Sequence, residues 1–363
     1  MRNAIYTIIL IFVKSFCFGQ ADGTPDLTFG VNGRINHDFG SFFHTPYFVV
    51  DQPDDKIITT GGENFFGNIR STLVLVRWLE NGAVDTSFGI NGIASITIPF
   101  GNFSIEVKKF ILQNDGKFLV LFQCNNTQYW QLPITRLNND GTLDTSFGTN
   151  GFFNLSAIAN SDPVNDFELQ SDNKILVTSL RGSLNLPYIT RLNTDGTTDT
   201  GFGTNGFFRP VLNTNIKPYQ IVIQSDGKFL INGYDGFNIY IVARYNQNTT
   251  LDTSYGNNGR ITFNIPYGIS IFLQSDDKCL VNHSISGVGY ISRFTTSGVL
   301  DSSFNNTGNL TVSQPNLNFS LYGFKLQSDK KQIWYGTSNI NNAYTNTMLR
   351  FNSNGSKDNT FGT

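Results

Sequence analysis

An all-β repeat fold is predicted by three recurrences in this chain. An Asp followed three residues later by an aromatic ring occurs seven times, as DLTFG from Asp26, DTSFG from Asp85 and Asp144, DTGFG from Asp199, DTSYG from Asp252, DSSFN from Asp301 and DNTFG from Asp358. A second segment, LQSDGK or a close variant, occurs once in every interval and ends at Lys56, Lys117, Lys174, Lys228, Lys278 and Lys331. Finally, an Arg stands eight residues before six of the seven Asp residues, at Arg77, Arg136, Arg191, Arg244, Arg293 and Arg350. A unit of about 55 residues is therefore repeated six times.

Each unit yields four strands. One follows the aromatic-Gly motif, as at 152–155, one lies on each side of the LQSDGK turn, and one runs into the Arg. Apolar runs such as FLVLF from Phe118 flank the LQSDGK segment, whose Asp, Asn and Gly residues supply a hairpin turn. The segment between Arg and Asp predicts a second hairpin. With Asn139, Asp140 and Gly141 as a three-residue loop and Gly141 left-handed, Arg136 faces Asp144 and Leu137 faces Leu143 on the opposite side. The same register pairs Trp78 with Val84, Tyr245 with Leu251 and Phe294 with Leu300. The Arg and Asp read as a structural clamp on the exposed face. An exposed pair contributes about 0–1 kcal/mol, so its expected role is to fix register.

No stretch keeps a 3.6-residue apolar rhythm, and Gly, Asn and Thr punctuate the chain too often for long helices. Four short strands in each of six like units predict an all-β, six-bladed β-propeller, whose blades bury their faces against their neighbours. The chain holds 33 Phe among 363 residues. Phe29, Phe88, Phe147, Phe202, Tyr255, Phe304 and Phe361, one per Asp motif, are expected between blades. Both chain ends carry the Asp motif, so one terminal copy is expected to close the ring by pairing with a blade built mostly from the other end. A seventh, incomplete blade is the alternative.

Arg2 followed by an apolar run over 5–13, too short to span a bilayer, reads as a signal peptide over 1–19, with the repeat domain at 20–363. Lipidation of Cys17 is the competing reading of that segment. It implies a secreted or cell-envelope protein, extracellular or periplasmic, with no transmembrane span in the mature chain. Cys124 and Cys279 lie more than two units apart and are expected as unpaired thiols. With 25 basic and 27 acidic residues the net charge is −2, which offers no nucleic-acid footprint. A ring that is complete within one chain is expected to be monomeric.

The motifs resemble the delta-60 repeat family, predicted β-propeller repeats of secreted and surface proteins of bacteria. The likeness is closest at 144–151, 169–177 and 223–233 and extends over 22–363. It implies architecture and location, and it carries no catalytic residue or substrate to transfer. The chain departs from the pattern at Asn305 and Thr249, each in place of a Gly, and at Gln332 and Ile333 after the last LQSDKK.

The chemistry-bearing residues fall into a few groups. His37, His44 and His283 read as surface or loop histidines, since no third ligand is nominated for a metal. NNDGTLD from Asn138 and NTDGTTD from Asn193 lack the opening Asp and closing Glu of a calcium loop and read as hairpin turns. The acids Glu63, Glu106 and Glu168 sit in three units without a glycosidase signature, and the periodic arginines do not nominate one substrate clamp. No catalytic residue, metal or cofactor is therefore expected. In a repeat array, specificity resides where units differ. Here the Lys-to-Arg spacing runs from 15 to 21 residues, in loops expected to join third and fourth strands on one rim. These carry Phe65, Phe66, Tyr129, Trp130, Tyr234, Phe237 and Tyr344 amid amides, a combination suited to a glycan or a surface protein. The expected function is a non-catalytic scaffold for ligand or protein binding at the bacterial cell envelope, the alternative being a propeller glycoside hydrolase or lyase acting on polysaccharide.

Overall fold

The computed structural model describes residues 26–35, 43–64, 72–99, 105–125, 130–131, 133–153, 164–181, 186–210, 217–234, 239–265, 269–285, 288–312, 318–340 and 343–361. Six antiparallel sheets follow one another along the chain. Blade I comprises Phe43–Asp51, Ile57–Asn64, Thr72–Trp78 and Ile93–Thr97. Blade II comprises Ile105–Leu112, Phe118–Asn125, Ile134–Leu137 and Phe152–Phe153, with the short strand Trp130–Gln131 on its second strand. Blade III comprises Val164–Leu169, Ile175–Arg181, Leu186–Leu192 and Phe207–Phe208. Blade IV comprises Lys217–Ile223, Phe229–Tyr234, Ile239–Tyr245 and Arg260–Asn264. Blade V comprises Ser270–Leu273, Cys279–Ile285, Val288–Phe294 and Asn309–Thr311, and blade VI comprises Asn318–Leu326, Gln332–Ile340 and Ala343–Phe351. This is an all-β, six-bladed β-propeller. No helix among the described residues is long and apolar enough to cross a membrane.

The strand after each Asp motif closes the sheet that precedes it, because Phe152–Phe153 pairs with Ile134–Leu137 and Phe207–Phe208 with Leu186–Leu192. A sheet is thus three strands of one sequence unit plus the first of the next. The variable Lys-to-Arg loops therefore join the second and third strands of a blade, not the third and fourth. Both hairpins take the predicted geometry. Asn138 N donates to Thr142 O at 2.8 Å, Leu137 pairs with Leu143, and Trp78–Val84, Tyr245–Leu251 and Phe294–Leu300 repeat that register. Gly141 has φ +86°, and a Cβ there would lie 2.8 Å from Phe88 Cζ of the preceding blade. Gly is required at this turn both for its backbone and because an aromatic ring lies flat against it.

The first strands of adjacent blades from I to V contact one another and so surround the axis. Five first strands contain a one-residue bulge, between Pro46 and Phe48, Val107 and Lys109, Val164 and Asp166, Pro218 and Gln220, and Leu321 and Gly323. Between the blades lie five apolar cores. That of blades I and II centres on Leu75, Phe88, Phe110 and Phe118, and that of blades V and VI on Leu280, Ile291, Phe304 and Trp334.

The junction of blades VI and I differs from the other five. Two residues before each Arg stands an apolar side chain aimed at the next blade. Leu75, Ile134, Ile189, Val242 and Ile291 are all fully buried, yet the sixth, Met348, is 65% exposed. Three residues before the turn Gln, Phe110, Phe167, Ile221 and Ile271 are buried, whereas Val49 of blade I is 68% exposed. Tyr335 of blade VI, on the same face as Met348, is 47% exposed. An ion pair from Lys325 Nζ to Asp51 Oδ1 at 2.6 Å spans this seam. The two terminal Asp motifs divide the remaining contacts. Gly30 N donates to Asn81 O at 2.8 Å, as Gly89 N does to Asp140 O and Gly148 N to Asp195 O at other junctions. Ile35 then packs on Val74, Val76 and Trp78. The N-terminal copy thereby takes the place on blade I that the preceding blade's motif takes elsewhere, while the C-terminal copy is held in blade VI by Arg350.

Equivalent truncations on the two kinds of junction should separate clearly. Ile291→Ala is expected to lower stability by about 2–5 kcal/mol. Met348→Ala, at the same repeat position, should cost no more than about 0.5 kcal/mol. Urea denaturation of both variants measures this, and equal losses would mean that the seam is packed in solution.

Candidate functional site

The recurring residues converge on one carboxylate in every blade. Arg Nε donates to Asp Oδ2 at 2.8 Å for Arg77–Asp85, 2.7 Å for Arg136–Asp144 and Arg191–Asp199, 2.9 Å for Arg244–Asp252 and Arg293–Asp301, and 2.8 Å for Arg350–Asp358. The Lys of the LQSDGK turn reaches the same oxygen. Lys117 Nζ lies 2.8 Å from Asp144 Oδ2, and Lys56, Lys174, Lys228, Lys278 and Lys331 repeat the contact at 2.8–3.4 Å. The other oxygen, Oδ1, accepts both the backbone N–H and the hydroxyl of the residue two positions on, as with Ser146 at 3.1 and 2.6 Å, except at Asp199, where Gly201 supplies only its N–H. Each guanidinium also lies 4.5–4.7 Å from the centre of the motif's aromatic ring. In four of them the far nitrogen crosses to the next blade, from Arg77 to Asn139 O at 2.9 Å, from Arg293 to Ser353 O at 2.7 Å, and from Arg136 and Arg244 to Thr194 O and Thr296 O.

These clamps are mostly buried, not exposed as the sequence suggested. Arg77, Arg136, Arg244, Arg293 and Arg350 and all six clamp Asp residues are covered. Removing one partner then strands the other's charge in a covered layer, which is more costly than losing an exposed pair. Burial works against ionisation of Asp85. The hydrogen bonds from Ser87 and the charges of Arg77 and Lys56 outweigh it and hold the carboxyl at about 2. Asp144, Asp252 and Asp301 are lowered further by the same balance. The motif rings Phe88, Phe147, Phe202, Tyr255 and Phe304 are buried between blades, and Phe29 and Phe361 are half-buried.

Among the rim aromatics, Phe65, Phe66, Tyr129 and Phe237 lie outside the described residues. Of Trp130 and Tyr344 the backbone alone is described, in strands paired through Asn125 and Asn339. Tyr234 is half-buried and stacks on Tyr240, with ring centres 4.6 Å apart. His37 also lies outside the described residues, and of His44 only the strand backbone is described. Cys279 is a free buried thiol, raised by burial to about 12, and the Cys124 side chain lies outside the description.

His283 is neither on the surface nor in a loop. It is buried in the second strand of blade V, stacked on Tyr290 and tilted against Phe263 of blade IV. Ser292 Oγ donates to Asn309 Oδ1 at 2.6 Å, so the 3.0 Å contact of Oγ with His283 Nε2 has the imidazole as donor. A catalytic base needs the opposite polarity. Burial lowers this imidazole to about 4, so it is neutral at neutral pH.

A non-repeating charge cluster lies on the axial strands. Lys109 Nζ of blade II is 2.9 Å from both Asp166 Oδ1 and Glu168 Oε2 of blade III. Asp166 Oδ2 accepts Ile221 N of blade IV at 3.0 Å, and Gln220 Oε1 accepts Ile271 N of blade V at 2.9 Å. Lys109, Asp166 and Gln220 each stand just after a bulge and tie their blade to the next. Sequence reading had singled out Glu168 but not Asp166, which belongs to no motif. Glu106 pairs with Lys108 at 2.6 Å, and the Glu63 side chain lies outside the description.

A model of a β-propeller domain of unknown function, DUF5122, matches residues 52–88, 128–147, 170–202 and 327–361. Three of these stretches start at the turn Gln and the last ends at Phe361, so the match follows the segments that build the clamp. No curated protein matches the sequence. Among solved structures, the polysaccharide lyase Uly1 is 11% identical, with a TM-score of 0.53 over 85% of this chain and 78% of its own. A protein of unknown function from Bacteroides caccae is 11% identical, with a TM-score of 0.47 over 83% of this chain and 91% of its own. At such identities the likeness is one of fold. The chain is a β-propeller repeat protein.

Asp144→Ala is expected to lower stability by about 2–4 kcal/mol, since it strands Arg136 and Lys117 in a covered layer. Chemical denaturation measures this, and a wild-type midpoint would remove the clamp's structural role. Two acid phases should also appear. His283 has a folded pKa below its unfolded value, so the unfolded state binds the extra proton and stability falls as pH drops from about 6.5 to about 4. The clamp carboxylates are likewise depressed, so their contribution, complete above about pH 4, is lost as pH falls towards 2. Melting temperature against pH should show both phases, and His283→Gln should abolish only the first.

Proposed function

We propose that this chain is a secreted, non-catalytic propeller of the bacterial cell envelope, of the delta-60 kind, that holds a ligand or partner protein with its non-repeating residues. One observation carries the reading: in every blade the recurring Lys, Asp, Arg and aromatic side chains are used up in one clamp. The repeated chemistry therefore serves architecture, and recognition falls to residues that differ between blades. Candidates are Phe65, Phe66, Tyr129, Trp130, Tyr234, Phe237 and Tyr344 on the variable loops. Export rests on the Arg2 and apolar 5–13 pattern.

The rival reading, a polysaccharide hydrolase or lyase, draws on the unique carboxylates Asp166 and Glu168 near the axis. Against it, Lys109 neutralises both, and Asp166 is further occupied by a backbone N–H. A free general acid has neither constraint.

Incubation of the purified protein with soluble polysaccharides decides between the two. Retention without new reducing ends or unsaturated products is expected, and Trp130→Ala is expected to weaken retention with an unchanged melting temperature. Reproducible cleavage would remove the non-catalytic reading.

A further inference from the structure

We propose that the residues inserted by the axial bulges of blades II, III and IV, Lys108, Asn165 and Tyr219, form an oligosaccharide-binding surface beside the axis, at the end that carries the variable loops. This rests on the binding-scaffold reading and gives it a place and a ligand class. The bulges insert Tyr47, Lys108, Asn165, Tyr219 and Tyr322 at equivalent positions in blades I, II, III, IV and VI. A bulge leaves one residue out of the ladder and re-aims it. The residue after the bulge has the structural duty, as Asp166 and Gln220 show by holding the next blade's backbone. The inserted side chain differs between these blades, being Lys108 in II, Asn165 in III and Tyr219 in IV.

The chemistry of the described members suits a sugar. Tyr219 is 41% exposed although it stands on an axial strand. It is inserted opposite Asn232 and Gly233, beside Tyr234, whose ring stacks on Tyr240. Asn165 Nδ2 donates to Pro218 O at 2.6 Å, which fixes the amide and leaves its oxygen as an acceptor. Lys108 and Glu106 form a part-exposed pair at 2.6 Å on the neighbouring blade. An exposed ring takes the apolar face of a pyranose, while fixed amide, ammonium and carboxylate groups take its hydroxyls. Pro218 pairs with Gly233, next to Tyr234 at the mouth of the variable loop, so Tyr219 and Tyr234 lie at the same end of blade IV.

The test uses the purified chain and three immobilised probes: mixed-linkage β-glucan, xylan and polygalacturonate. Wild type should be retained on at least one. Loss of one stacking ring should weaken that retention about tenfold in Tyr219→Ala. Tyr219→Phe should bind within about threefold of wild type, because it keeps the ring. Lys108→Ala should weaken binding to polygalacturonate more than to the neutral probes. Ile90→Ser, exposed at the clamp end, should bind as wild type. Retention that Tyr219→Ala and Lys108→Ala leave intact would overturn the site while the scaffold reading stood. No retention on any probe would overturn the ligand class, and cleavage of a retained probe would instead strike the non-catalytic reading.

Discussion

One carboxylate oxygen per blade organises this protein. Asp144 Oδ2 receives an ammonium from the turn between the first and second strands and a guanidinium from the third, so it locks two hairpins that are otherwise joined only by their sheet. The guanidinium then lies on the motif's ring and reaches the carbonyl of the following blade. A charge that would be costly to cover alone is covered because both oxygens of the carboxylate have partners, Arg136 and Lys117 on Oδ2 and Ser146 on Oδ1. The same ring rests on the next blade's turn Gly, so register within a blade and docking between blades are set by one cluster. This explains why the three recurring segments are kept in every unit, with Arg and Asp always eight residues apart, while the loop between Lys and Arg drifts.

Nearest-neighbour docking of this kind makes a propeller a chain of similar interfaces closed into a ring. Five of the interfaces here have an apolar core of their own. At the sixth, Met348, Tyr335 and Val49 remain exposed, and the described contacts include an ion pair and the docked N-terminal motif. The chain ends explain the asymmetry. Where continuous chain crosses a junction, the Asp that binds the Arg and the residue that docks on the next blade, Gly89, Gly148, Gly256 or Asn305, belong to one motif. At the seam those two jobs fall to Asp358 and Gly30, at opposite ends of the sequence.

The hairpin register was legible from the sequence because a three-residue loop with a left-handed Gly leaves few pairings, and Leu137–Leu143 follows from it. The Lys was legible as part of a turn but not as a clamp member, since its partner lies 27 residues away, across a loop of variable length. Burial of the clamp was hidden for the same reason: the cover comes from the neighbouring blade. His283 read as a loop residue because its strand, CLVNHSI, is half polar. Its cover comes from Phe263 of another unit and from Tyr290 across the sheet. The assignment of strands to sheets shifted by one, because sequence periodicity has no phase and hydrogen bonding chooses where a blade begins. The bulges left no trace in composition, as one inserted residue alters neither pattern nor propensity.

A ring of like units has a recognition problem, because a side chain that recurs in every blade faces a ligand with several equivalent choices. The clamps avoid this by turning inward on themselves. Asymmetry must then come from residues that the repeat does not constrain, and these are found where a blade edge approaches the axis. There Lys109, Asp166 and Gln220 take different routes to one structural end, joining blade to blade. Because that tie tolerates an amine, a carboxylate or an amide, the adjoining inserted residue is tolerant as well, and Lys, Asn and Tyr all occur there without cost to the sheet. The feature that frees the axial backbone for docking is therefore also the one that supplies the axis with side chains of unlike chemistry.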